Sequence, residues 1–391
     1  DAIILDVGWD PVAALLGQAG GGWKSLPGSS SLWPERLPQG FLDNVWPLYS
    51  SHFDALRPAV EALPGPLLDQ NPVLKVLHPM TPVLARVGRP FKPLLSPEDA
   101  RLMSADEVDV FTLVQMVGFR FSGDVAAALI YARRLEERVV EVRVESHERA
   151  DGPLWYYHHQ VGSTLLAAGE TSRALRAFTT ARHLARLSLQ PDAERVALGR
   201  AALPHALRGS LDEANAVLPD VDRQPAASRA HASSSLNTER TTAALIAVER
   251  MSGDIDERLA VLAPFDSIDL TWPFALLART RACLARQRPD DALEAGRLAG
   301  DAHPSQHGST ALDIIGAASI DALWALGEAQ SARRIAGSAS GAGRLTKLAA
   351  IRLALLDARP NPAARGIPEL SQDASLGPGR QAEVLLLSAG D

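Results

Sequence analysis

The sequence has a single cysteine and lacks any long uncharged apolar run. Cys283 is the only cysteine among the 391 residues, which excludes an intramolecular disulfide and suits a reducing cytoplasm. No uncharged apolar stretch reaches about 18 residues, and the N-terminus resembles no signal peptide, so no membrane segment is expected. A cytoplasmic protein is therefore predicted. Because the chain begins at Asp1 and not at Met, it is expected to be a fragment or a processed product.

Lysine and aromatic residues are also scarce. The net charge is -7 and arginine is scattered rather than grouped in basic blocks, so nucleic-acid binding by these residues is not expected. Aromatic residues make up only 5%, whereas alanine and leucine, both strong helix formers, are abundant. A chain of this length exceeds a usual single domain, which favours several units or a repeat array. Together these features predict an all-α protein.

One unit recurs along the middle of the chain. An apolar helix is followed by Gly, a small or acidic residue, and a second helix with Ala five residues after the Gly. In the clearest copy, from Trp155 to Arg186, the turn is Gly169-Glu170. Gly suits the left-handed end of the first helix, and the acidic residue suits the start of the next. Further turns are predicted at 123, 209, 253, about 287 and 327.

This copy resembles a tetratricopeptide repeat. That family has Gly at its eighth position, a small turn residue, Ala at positions twenty and twenty-seven, and a large aromatic between those two alanines. The matching residues are Gly162, Gly169, Ala174, Phe178 and Ala181. His158 and Arg186 depart from the family's Trp and Pro, and most turns are more than about 34 residues apart. The resemblance implies an α-α superhelix over residues 108–358; a non-repeating helical bundle is the alternative.

The two ends of the chain differ from this array. Proline recurs through residues 1–107, which permits only short helices, so irregular helical hairpins that cap the array are predicted there. Residues 359–375 are interrupted by Pro and Gly and are expected to be a linker. Residues 376–391 contain Leu376-Gly377-Pro378 and Glu383-Val384-Leu385, which resemble the opening helix of a LuxR-type helix-turn-helix domain. An ordinary amphipathic terminal helix is the alternative.

Several patterns suggest chemistry but lack its context. The run Gly17 to Ser25 resembles a phosphate loop, yet Trp23 separates the Gly from the Lys, and neither the strand nor the helix of that motif flanks it. His303 and His307 have the i,i+4 spacing of a helical metal site, but Pro304 and Gly308 argue against a helix and no third ligand is evident. No catalytic residue, cofactor or metal is therefore predicted.

The tetratricopeptide resemblance does imply a binding surface. In that family selected first-helix positions line the concave face, where a protein, a peptide or a small effector binds. A solvated helix surface is the alternative for each of them. The positions carried over are Arg120, Tyr156, His159, Ser163, Arg240 and Asp321.

The two resemblances together favour a regulatory module. The chain is expected to be the non-catalytic, partner-sensing region of a cytoplasmic LuxR-type transcription regulator, with DNA bound only by a domain beyond residue 391. Whether an ATPase domain precedes Asp1 is left open, and a homodimer is compatible with the sequence. The alternatives are a stand-alone scaffold for protein assembly and, less favoured, an all-α enzyme with a site in the concave groove.

Overall fold

The computed structural model describes residues 61, 78, 105–141, 154–187, 191–218, 233–265, 270–338 and 343–356. The predicted linker at 359–375 and the helix-turn-helix segment at 376–391 lie outside the described residues, as does nearly all of the predicted cap at 1–107. The described part contains thirteen helices, and the predicted all-α repeat fold is confirmed. They are α1 Ala105–Phe121, α2 Val125–Glu141, α3 Leu154–Ala167, α4 Thr171–Leu187, α5 Pro191–Leu207, α6 Leu211–Val217, α7 Ser233–Glu249, α8 Ile255–Ala260, α9 Trp272–Ala285, α10 Pro289–Ala302, α11 Thr310–Ala325, α12 Ala329–Ser338 and α13 Arg344–Leu356.

The helices form a row of antiparallel hairpins. Each odd-numbered helix from α1 to α11 is the first helix of a hairpin, and the even-numbered helix after it is the second. Each first helix packs on the next first helix in the chain, and each second helix packs on the first helices before and after it. α13 continues this row as a further first helix on α11. Stacking of this kind buries a continuous core that no hairpin could bury alone.

The six hairpin turns within the described residues share one backbone geometry. The residue that ends each first helix has a positive φ, and the next residue donates its N–H to a carbonyl five residues earlier, as Glu170 does to Leu165 at 2.8 Å. This is the Schellman arrangement, which satisfies the last carbonyls of the helix. The left-handed residues are Gly123, Gly169, Gly209, Met251, Gln287 and Gly327.

The predicted position of the fourth turn is wrong by two residues. The sequence pattern indicated Gly253, whereas the left-handed residue is Met251, with φ 52°. Ser252 donates its N–H to Ala247 O at 2.9 Å, which completes the turn there. Helix α7 therefore ends before Gly253, although glycine is the residue type best suited to the left-handed end of a helix.

First and second helices differ in how much of their surface is buried. In α3, eleven of the fourteen residues are buried, from Trp155 to Leu166. In α4, the six buried residues run from Thr171 to Ala185 at helical spacing, which gives one apolar stripe. The first helices are therefore the inner layer of the array and the second helices are the outer layer. Within the described ranges, every helix falls short of the length and apolar character that crossing a bilayer requires.

The row of hairpins curves so far that its first two turns contact the loop before α11 and the start of α13. The α1–α2 turn contacts the loop between α10 and α11, where His307 donates its N–H to Gly123 O at 2.8 Å. Near the α3–α4 turn, Arg344 at the start of α13 donates to Gly169 O at 3.0 Å. Residues about 180 positions apart are thus in direct contact, and the superhelix closes on itself.

Candidate functional site: a polar row on the inner helices

The residues predicted to line a concave face lie mostly inside the protein. Arg120 is 4% exposed, and Tyr156, His159 and Ser163 are equally buried. Arg240 and Asp321 are half-buried. The first helices pack so closely around the superhelix axis that four of the six positions face protein and not an open groove. A binding role for these residues stays a prediction.

Arg120 joins the first hairpin to the second. Its Nη1 donates to Gln160 O at 2.9 Å and to Thr164 Oγ1 at 2.8 Å, and its Nη2 donates to Gln160 Oε1 at 2.6 Å. The guanidinium also lies over the ring of Phe121, 5.5 Å from its centroid. Gln160 and Thr164 are themselves buried and stand one turn apart on α3. A cation buried in this way requires acceptors around it, and these two residues supply them.

His159 lies beside this group in an apolar environment. Its ring centroid is 5.8 Å from that of Phe178 and 6.3 Å from that of Tyr156. Burial, and then the positive charges of Arg200 and Arg120, hold the pKa of His159 well below its usual value, so the imidazole is neutral. Its Nδ1 has no hydrogen-bond partner, and neither does the side-chain amide of the fully buried Gln115 on α1. Unsatisfied buried polar atoms each cost about 1–3 kcal/mol.

The polar groups continue onto α5 and α7. Glu239 Oε2 lies 3.8 Å from Arg195 Nη2, and the Glu239 side chain is only 2% exposed. Burial raises the pKa of Glu239, while Arg195 and Arg200 oppose that rise. Gly199 allows the approach, because a Cβ there would lie 3.1 Å from Glu239 Oε1. We call Arg120, His159, Gln160, Thr164, Arg200 and Glu239 the inner polar row.

Sequence reasoning identified only part of this row. Arg120 and His159 were predicted as surface residues, whereas Gln160, Thr164, Arg200 and Glu239 were missed. The signal was available on α3, where Gln160 and Thr164 interrupt an apolar helix at i,i+4 spacing. Arg240 was placed through the misassigned fourth turn. With Met251 as the left-handed residue, the position equivalent to Tyr156 is Thr238, which is fully buried.

Asp321 has a structural partner on the next first helix. Arg352 Nη2 on α13 donates to Asp321 Oδ2 at 2.5 Å, and both side chains are about one-third exposed. The pair lies on α11 and α13, beyond the helices α1, α3, α5 and α7 that carry the inner polar row. The structure therefore does not bring Asp321 together with the other predicted residues.

The two histidines with metal-like spacing occupy separate places. His303 stacks on Trp272 with 4.0 Å between ring centroids, and its Nε2 is 2.5 Å from Phe265 O. His307 Nδ1 is 3.1 Å from Asp124 Oδ1. The segment between them is not helical, so the i,i+4 spacing does not align them. Among the described residues, no group of three or more His, Cys, Asp or Glu is arranged to hold a metal.

Two openings in the surface differ in size and place. A cavity of about 40 Å³ beside Arg120 is lined by Ser122, Trp272, His303 and Gln306, where the superhelix closes. A shallow groove of about 560 Å³ runs along the outer helix α10, with Asp290, Glu294 and Asp301 among the residues that line it. Ligand pockets for small molecules usually enclose about 300–1,000 Å³. Of these two openings among the described residues, the outer groove alone is of that size, and it is open to solvent.

Comparison with protein families, with curated proteins and with solved structures finds no match to this chain. The geometry of the inner polar row is therefore the observation on which a function must be argued.

Proposed function

We propose that this chain is a non-catalytic regulatory module of a LuxR-type transcription regulator, and that its helical array senses an effector or a protein partner. The observation that carries the proposal is the inner polar row. Two arginines, a neutral histidine and a glutamate lie buried within the inner layer, although charged side chains are almost never fully buried unless paired.

Such a row is unfavourable for stability alone. Buried charges require desolvation, and apolar residues of similar volume in their place are often neutral or stabilising. Positions that break the local rules of packing are typical of functional sites. Gln115 and His159 add buried polar atoms without hydrogen-bond partners, which a ligand could satisfy. These features support recognition of a polar molecule by the first helices.

The charge of the chain supports separate roles for the helical array and the DNA-binding domain. The chain as a whole has a net charge of -7 and its arginines are scattered, so it offers no basic block for binding DNA phosphates. DNA reading is assigned to a helix-turn-helix domain that begins near Leu376, as the resemblance of residues 376–391 implies. The array would then bias that domain according to whether the effector is bound.

The first test is a DNA selection with the full natural chain. The protein is incubated with a randomised duplex library, and bound sequences are enriched over several rounds. We expect one defined site to emerge. Enrichment of no sequence would contradict the assignment to a LuxR-type regulator, while leaving the sensing role of the array to the next experiment.

The second test is a thermal-shift screen of polar metabolites and short peptides against the same protein. A ligand at about 100 times its Kd stabilises the folded state by about 2.7 kcal/mol. We expect the stabilisation to be lost in His159→Phe and retained in Thr179→Ala, since Thr179 is exposed on the outer helix α4. Equal stabilisation of both variants would place the ligand elsewhere and contradict sensing through the inner polar row.

A protein-assembly scaffold is the second candidate, and the groove on α10 favours it. Its acidic lining and the small residues Gly296 and Gly300 would suit a basic helix. Arg297 is held there by Glu294 and Asp301 at 2.7 and 2.6 Å. This candidate predicts a stoichiometric protein complex that Gly300→Leu weakens, together with no specific DNA site in the selection.

A further inference from the structure

The superhelix is closed by a small set of backbone and polar contacts, which we call the clasp. On one side are residues 122–126 and Gly169; on the other are residues 303–310 and Arg344. Ala126 donates its N–H to His307 O at 3.1 Å, and His307 donates its N–H to Gly123 O. The same pair of segments forms an isolated parallel β-bridge between Asp124 and His307.

Arg344 adds a further contact to the clasp. It lies at the start of α13 and donates to Gly169 O at the end of α3 at 3.0 Å. Its cation thus lies beside a carbonyl at the C-terminal end of a helix, where the helix dipole favours positive charge.

The Asp124–His307 pair of the clasp is nevertheless more exposed than the contacts between consecutive hairpins. The His307 side chain is 78% exposed and that of Asp124 is 41% exposed, so water competes for their contact. Consecutive hairpins instead share one buried apolar cluster that extends from α1 to α11. Regions with exposed hydrogen bonds and few buried apolar contacts open at lower free energy than the core.

The closed state leaves little space beside the inner polar row. The cavity at the clasp, which Arg120 lines, measures only about 40 Å³, well below the volume of a small-molecule pocket. An effector therefore requires the array to open before it reaches Arg120 or His159.

We propose that the clasp is a reversible gate. The two sides of the clasp separate while the hairpins stay folded. This separation exposes to a ligand the ends of the first helices that lie at the clasp. The role of this gate in ligand binding rests on the proposed sensing function. The opening itself is a property of the free protein and does not depend on that function. Ligands that bind the open state would shift the population from closed to open.

Two glycines make the gate testable. Gly123 has φ +87°, and a Cβ there would overlap the carbonyl oxygen of Ser305 across the clasp. Gly308 has φ +68°, and a Cβ there would lie 2.9 Å from Ala126 N. Gly327 is the matched control, because it ends α11 with φ +80° and a Cβ there would have no atom within 4 Å. Gly327→Ala thus reproduces the backbone strain of Gly123→Ala without touching the clasp.

The experiment measures a distance across the clasp by pulsed electron paramagnetic resonance. Spin labels are attached to Ile130→Cys and Leu312→Cys in a Cys283→Ala background, since both sites are exposed on opposite sides of the clasp. A second pair, Leu298→Cys and Leu312→Cys, reports a hairpin contact on one side only. Helix content is followed by circular dichroism.

We expect Gly123→Ala to shift the first distance to longer and broader values, with the second distance and the helix content unchanged. Gly327→Ala should leave both distances as in the wild type. An unchanged first distance in Gly123→Ala would overturn the proposal, and so would a loss of helix content that accompanies the shift. Because no effector or DNA is present, a failure here is distinct from a failure of the proposed function.

Discussion

The ring of Phe178 occupies the space that a side chain at Gly162 would need. A Cβ built on Gly162 would lie 2.8 Å from Phe178 Cε1, closer than real Cβ contacts allow. Phe178 is fully buried, and its ring also packs on His159. The absence of a side chain at Gly162 thus lets α3 and α4 approach closely and brings the outer helix against the inner polar row.

This contact predicts the cost of adding one methyl group. Gly162→Ala should lower the free energy of unfolding by about 1–3 kcal/mol, because Phe178 has to move within a packed core. Urea denaturation followed by circular dichroism measures the change. Gly300→Ala is the control: Gly300 is also inside a helix, and a Cβ there would have no atom within 4 Å. It should be stabilising by up to about 1 kcal/mol, and equal destabilisation of both variants would contradict the role of Phe178.

His159 predicts a pH dependence of stability. Its folded pKa is lowered by burial and by Arg200 and Arg120, so the unfolded chain binds more protons as the pH falls through about 6.5. The free energy of unfolding should therefore decrease below that pH, by up to about 1.4 kcal/mol per pH unit from this residue. Urea denaturation at pH 7.5 and pH 5.0 measures the loss.

The matched variant isolates that contribution. His159→Phe has no titrating group, so its loss of stability between the two pH values should be smaller than that of the wild type. Burial raises the pKa of Glu239, which acts in the opposite direction, but Glu239 is present in both proteins and largely cancels in the difference. His183→Gln, on the exposed face of α4, should behave as the wild type does. An identical pH dependence in His159→Phe would contradict a buried neutral imidazole.

The fourth turn predicts two substitutions with different outcomes. Met251 has φ 52°, a conformation that costs a residue with a side chain about 1–2 kcal/mol, so Met251→Gly should be stabilising by up to about 1 kcal/mol. Gly253 lies outside the left-handed region and a Cβ there would have no atom within 4 Å, so Gly253→Ala should be neutral or slightly stabilising. Thermal denaturation of both variants compares them. Destabilisation by Gly253→Ala would instead indicate that the turn lies at Gly253, as the sequence pattern predicted.

Local signals were sufficient to predict the repeats. The spacing of Gly162, Gly169, Ala174 and Phe178 indicated a helical hairpin, and the structure has that hairpin as α3 and α4. Gly123, Gly209 and Gly327 end helices as expected, since Gly carries the left-handed conformation at no steric cost. Met251 could not be recognised, because a methionine carries no local signal for the left-handed conformation that it adopts there.

Contacts that depend on curvature could not be predicted. Whether Arg120 faces solvent or protein depends on how tightly successive hairpins rotate, and that rotation accumulates from many small packing differences. The same accumulation brings Gly123 to His307 and Gly169 to Arg344. No periodic pattern in a single hairpin contains this information. The sequence therefore indicated the hairpins and their order but not the closed interior in which the inner polar row lies.

Asp313 predicts how the last described helix is held. Its two carboxylate oxygens accept from the backbone N–H groups of Leu345 and Thr346 at 2.9 and 2.8 Å, and Asp313 O accepts from Thr346 Oγ1 at 2.9 Å. The side chain thus caps the start of α13 from the neighbouring helix α11. Loss of a capping side chain costs about 0.5–2 kcal/mol.

Asp313→Ala should therefore loosen α13 before the rest of the array. Hydrogen exchange of the α13 amides should become faster, while that of the α3 amides should change little, because α3 lies within the main apolar cluster and α13 contributes chiefly to a separate one. Asp313→Asn keeps one acceptor and should show an intermediate effect. Asp290→Ala, an exposed acidic residue in the first turn of α10, is the control and should change exchange by less. Uniform acceleration across α3 and α13 would mean that Asp313 stabilises the whole array rather than one helix end.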